Sequence, residues 1–202
     1  MKGLRQIITS TLVLGWIGIL LFLILAITFP VLAKNNEFGL IHIIMAFMYA
    51  MWLPIPIMMY EILHNNILKI GMIFGLVYLS MMIMTMSLQT GHIVHSEKES
   101  QSQTISNHMM ATLSGPFELM ANILKSIWVF FLAVAFWEQQ YVVMASLMGT
   151  ISLLIIYFFL LLVKDSLIKP NKFLKRMVVN PYFLNLEMFC LFLSLIIFIS
   201  SI

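Results

Sequence analysis

The chain has 202 residues, 62% of them hydrophobic and 9% charged, and a formal net charge of +3. A water-soluble domain of this length needs a polar skin, which so few polar residues cannot supply, and no basic domain is present to hold a nucleic acid. A single cysteine, Cys190, excludes an intramolecular disulfide and the cysteine-based zinc patterns.

Continuous apolar runs of about 20 residues match the length at which a helix crosses a bilayer core. They do not alternate, so the strands of a membrane barrel are excluded. The expected architecture is an all-α membrane protein, one polytopic domain over residues 1–202 with about six transmembrane helices. Eighteen methionines raise the question of copper; as adaptable apolar fillers they need no metal to explain them.

Span one is predicted over Ile8–Ala33, after Lys2 and Arg5. Val31-Leu32-Ala33 resembles a signal cleavage site, but the apolar run exceeds a signal peptide's core, so it reads as an uncleaved span. Span two, Phe38–Tyr60, contains Pro54 and Pro56. Each lacks an N–H, so the carbonyls of Ala50 and Trp52 lose their usual partners and a kink is expected. Span three covers Ile67–Leu88, and Glu61, His64 and Lys69 before and around its start read as a solvated turn.

Ser96–Asn107 is the strongly hydrophilic stretch and is predicted to be a loop. Span four is expected to open near Gly115-Pro116 and end at Trp137. Proline suits a first helical turn, where Glu118 would meet the positive end of the helix dipole. Glu138-Gln139-Gln140 forms a tight turn between Trp137 and Tyr141, both placed as interfacial anchors. Span five follows over Tyr141–Val163. Nothing in it matches the Pro54/Pro56 kink, so an inverted repeat has no support. Lys164–Asn180 is a basic linker, with Lys164, Lys169, Lys172, Lys175 and Arg176 against Asp165. After Pro170 a short interfacial helix is expected, with Lys172, Lys175 and Arg176 on one face for anionic lipid headgroups and Phe173, Leu174 and Met177 elsewhere. Span six covers Pro181–Ile202.

An even span count puts both termini on one side. The opposite side carries Lys34, Lys98 and the linker cations, against Lys2, Arg5 and Lys69 on the terminal side. The positive-inside rule then places the linker in the cytoplasm and the termini outside.

The same connectivity collects His42, His92, His95, Glu118 and Glu187 in one leaflet or at its rim, with His108 in the adjoining loop. Lys125 follows Glu118 by two turns on the same helix face, about 10 Å deeper. A lysine at that depth needs a partner, and Glu187 is the candidate. Glu118, Lys125 and Glu187 are therefore the candidate ligand or ion pathway. His92 and His95 have the i, i+3 spacing of a shared metal, and His42 would complete a three-histidine set. Haem would need two axial histidines on different helices, and His42 with His92 or His95 is the available pair.

No Walker loop, GxGxxG, HExxH or Ser/His/Asp arrangement occurs. The leading expectation is a non-enzymatic protein of a prokaryotic plasma membrane, transporter-like or the membrane subunit of a larger assembly, handling an ion or a small polar ligand. A membrane metal or haem protein is the second. An intramembrane lipid-modifying enzyme is the third, and it lacks an identifiable nucleophile.

Overall fold

Helix α1 runs from Lys2 to Lys34 in the computed structural model, whose backbone is described over residues 2–98 and 103–202 and whose side chains are described over 5–98, 110–113 and 115–202. The middle of the hydrophilic stretch and the side chains of Lys2 and His108 lie outside the described residues. All regular structure among the described residues is helical. Among the described residues six helices or helix pairs are long and apolar enough to cross a membrane: 5–34, 38–63, 66–98, 110–138, 142–166 and 181–200.

The second of these is broken in two, α2 (Phe38–Trp52) and α3 (Ile55–Leu63). Pro54 offers no N–H to the carbonyl of Ala50, which accepts instead from Leu53 N at 3.2 Å. The backbone resumes helical bonding with Met58 N to Pro54 O at 3.0 Å. His64 ends α3 in the left-handed region with φ 46°.

Helices α4 (Asn66–Lys98) and α5 (Gln103–Glu138) both run well past the apolar stretches that announce them. Two expectations are corrected here. Much of the predicted loop is helix, and Pro116 sits inside α5, not in its first turn. The dipole argument for Glu118 falls with it, because the free N–H groups of the helix lie three to four turns earlier. The fifth span is also two helices, α6 (Val142–Ser152) and α7 (Leu154–Ser166). No proline is responsible. Ser152 Oγ donates to Gly149 O at 2.7 Å, and Ile156 N bonds Leu153 O at 3.2 Å, the Gly/Ser kind of interruption. A short α8 (Lys172–Lys175) starts at Asn171, whose Oδ1 accepts from Leu174 N at 2.9 Å. Asn180 caps α9 (Pro181–Ser200) in the same way, accepting from Tyr182 N and Phe183 N at 3.1 and 3.2 Å.

Neighbours in sequence are neighbours in space: α4 packs along α5 and against α2, and α5 against α6 and α7, while α9 closes the bundle against α1. The two halves do not repeat this pattern, since α4 packs broadly on α2 whereas its counterpart α9 touches α6 only lightly. Trp52 and Trp128 sit at the centre, both against Phe192, with ring centroids 4.2 and 6.1 Å away. Two glycines make room for them. A Cβ on Gly18 would enter the Trp52 indole, and one on Gly75 would lie 2.7 Å from Trp128 Cδ2 and 3.0 Å from Pro56 Cγ. Gly75→Val should therefore destabilise by about 1–3 kcal/mol, the usual cost of overpacking. The check is a lower thermal midpoint in detergent; an unchanged midpoint would show that Trp128 yields freely.

The outside of the bundle is its apolar face. Ile27, Val143, Leu153 and Ile156 are exposed, Val143 by 81%. Lys125, Glu187, Gln89, Asn122 and Thr85 are buried. Apolar surface outward and polar groups inward is the arrangement that lipid favours.

Candidate functional site

The polar interior is built from four helix faces. On α5, Glu118, Asn122 and Lys125 follow the i, i+4, i+7 rhythm of one face. On α4, Tyr78, Met82, Thr85, Gln89 and His92 form the matching buried stripe. From α9 come Asn185, Glu187 and Met188, and from α2 come His42, Met45 and Tyr49.

These faces enclose a chamber of about 190 Å³. Its polar wall is His42, Tyr49, Tyr78, Gln89, Glu118, Asn122 and Asn185, and its apolar wall is mainly methionine. Gln89 Nε2 donates to Glu118 Oε1 at 2.6 Å, and no other hydrogen bond to that carboxylate is made by the described residues. Asn122 Nδ2 donates to the Glu118 carbonyl at 2.9 Å, and Ser126 Oγ to the Asn122 carbonyl at 3.0 Å. Asn122 is thus anchored to its own helix and keeps Oδ1 available to accept, while Gln89 reaches across from α4 to α5. His42 Nδ1 donates to Phe38 O at 2.6 Å, which leaves Nε2 to accept in the neutral ring.

Lys125 and Glu187 are not chamber residues. Lys125 Nζ donates to Glu187 Oε2, joining α5 to α9. The lysine is 1% exposed and the glutamate 7%. Its ammonium also lies 5.7 Å from the Tyr78 ring centre and 5.1 Å from that of Phe158, where aromatic faces attract a cation. Glu187 Oε1 is buried without a hydrogen-bond partner. The geometry therefore divides Glu118, Lys125 and Glu187 into one carboxylate at a chamber and one ion pair outside it.

No family model, curated protein or solved structure matches this chain.

The three candidate metal ligands are separated by environment. His42 is half-buried and lines the chamber, His92 is buried with Ser96 Oγ at 3.4 Å from Nε2, and His95 is exposed. Among the described residues no three His, Cys, Asp or Glu side chains are grouped to hold a metal ion. In the linker, Lys172, Lys175 and Arg176 are all exposed. Leu174 is buried and Met177 half-buried, but Phe173 faces outward beside the cations. Lys164 Nζ donates to Met177 O at 3.1 Å and Tyr157 Oη to Val178 O at 2.8 Å, which fold the linker back on α7.

Gln89, Asn122, Asn185, Tyr49 and Tyr78 were not singled out by their charge, because they have none. Their signal is position: amides and phenols inside apolar runs, with Asn122 one turn from Glu118 on α5 and Tyr78 and Gln89 on one buried face of α4.

Proposed function

We propose that this chain is a small multi-pass protein of a prokaryotic plasma membrane, transporter-like or the membrane subunit of a larger assembly, that handles an ion or small polar ligand at the chamber beside Glu118. The observation that carries the reading is the Glu118 carboxylate, held by Gln89 at 2.6 Å in a polar chamber inside an apolar bundle. An ionisable group at membrane depth is expensive and marks function by default. Glu118 is the ligand-facing residue, and the Lys125–Glu187 pair holds α5 and α9 in place around it. The break at Leu53-Pro54, next to the chamber-bearing α2, is the hinge candidate.

The linker supports a cytoplasmic, headgroup-facing role. Its exposed cations stand among exposed Ile168, Phe173 and Val178, the mixture that binds an anionic interface.

Proton and sodium flux into proteoliposomes, under an imposed potassium diffusion potential, tests the proposal. Wild-type protein should raise one of the two fluxes above protein-free vesicles, and Glu118→Gln should lower it about tenfold, as expected from losing a charged contact. Equal flux through wild type and Glu118→Gln would end the reading.

A further inference from the structure

The chamber does not end at its own wall. Met45, Pro181, Asn185 and Met188 border it and also border a larger groove of about 420 Å³. That groove lies between α1, α2 and α9, lined by Phe22, Leu25 and Phe29 on one side and by Met48 and Leu186 on the others. Ala26, Phe29 and Leu186 are exposed at its edge, so it opens on the outer, apolar surface of the bundle. From Phe22 to Phe29 the groove follows α1 for about 10 Å. Its volume falls in the range of small-ligand sites, about 300–1,000 Å³, which the chamber alone does not reach.

The two parts differ in chemistry. Among the described residues the groove wall carries no charged side chain. The chamber offers as acceptors the Glu118 carboxylate, Asn122 Oδ1 and His42 Nε2, beside the Tyr49 and Tyr78 hydroxyls and the Asn185 amide, which both donate and accept; among the described residues its charge is that of the carboxylate. Lys125, a buried ammonium nearby, is already paired with Glu187 and does not line the chamber. An anionic head would meet a carboxylate with no lysine or arginine among the described residues of the wall. A head with N–H donors and positive charge would meet its complement.

We propose that groove and chamber together bind a single-chain amphiphile with a protonated amine head, the tail between α1 and α9 and the head against Glu118. The inference rests on the reading of the chamber as a ligand site and adds the class of ligand: the polar group enters sideways from lipid, carried on a tail.

The test uses the full chain in phosphatidylcholine nanodiscs and a long-chain alkylamine bearing a photoreactive diazirine in its tail, with adducts mapped by mass spectrometry. Adducts should concentrate on residues 22–29 and 181–188. Dodecylamine should displace the probe at about tenfold lower concentration than dodecanoic acid, the margin of one charge-assisted contact. Glu118→Gln should abolish that preference, and Ala26→Trp, which fills the groove from its exposed edge, should remove the adducts while the protein stays monodisperse. Adducts spread evenly over outward residues such as Val143 and Ile156, or equal displacement by amine and acid in the wild type, would overturn the proposal without any variant. If those results came with a proton or sodium flux that still depends on Glu118, the amphiphile would be lost and the chamber reading would stand. Groove adducts with amine preference, but no Glu118-dependent flux, would support the amphiphile site and end the ion-transport reading.

Discussion

Lys125→Met should destabilise the protein by about 3–5 kcal/mol, and adding Glu187→Leu should restore most of the loss. The single change leaves the Glu187 carboxylate buried, with one oxygen newly bare and Oε1 already without a partner. Asn122 and Gln89 do not replace the ammonium, because both donate to Glu118. The double change removes both charges and leaves apolar groups of similar size among Tyr78, Phe158 and Met188, which is often neutral or better than the ion pair it replaces. Thermal unfolding in detergent, followed by the monodisperse fraction after heating, reads both values. A double variant as unstable as the single one would show that shape, not charge, is what the pair supplies. Because neither side chain lines the chamber, the double variant should keep wild-type flux, whereas Glu118→Gln should not. That contrast separates a residue facing the ligand from a pair that only holds the helices around it.

Hydropathy locates lipid-length segments, and among the described residues those are where the six helices long and apolar enough to cross a membrane lie. It is silent about helix outside lipid. Gly91–Lys98 and the start of α5 are polar or mixed, and a polar segment continues a helix as readily as it forms a loop once its backbone bonds are in register. Pro54 was legible because a missing N–H acts locally. The break at Leu153 was not, because it rests on Ser152 competing for the Gly149 carbonyl, a choice that serines inside many helices do not make. The same division runs through the site. Lys125 and Glu187 stand out in an apolar run, since burying one demands the other. Gln89 and Asn122 are inexpensive enough inside a bundle to pass for structural residues, and only the packing of α4 on α5 reveals that they surround Glu118. The i, i+3 spacing of His92 and His95 set both on one helix flank, yet the neighbouring helices cover His92 and leave His95 outside.

Trp52→Ala should cost about 3 kcal/mol, the lower end of what buried aromatic truncations cost in water-soluble cores. The reduction has a physical cause. In a bilayer the unfolded reference is as apolar as the core, so the part of the effect due to transfer from water vanishes and the loss of packing remains. That loss is large here. Trp52 is 0% exposed, stacks on Phe192 at 4.2 Å and 12°, meets Tyr49 edge-on at 6.1 Å, and donates from Nε1 to Gly15 O at 3.2 Å. It therefore ties α2 to α1 and α9 one residue before the Leu53-Pro54 break, where the helix has no ladder bond of its own to resist bending. Trp52→Phe keeps the stack and loses the hydrogen bond, and should cost about 1 kcal/mol. Trp137→Ala, at a side chain 62% exposed, should fall within about 0.5 kcal/mol of wild type. Near-ultraviolet circular dichroism during thermal unfolding distinguishes the three. If Trp52→Ala and Trp137→Ala unfolded together, the central stack would not be what fixes the broken helix.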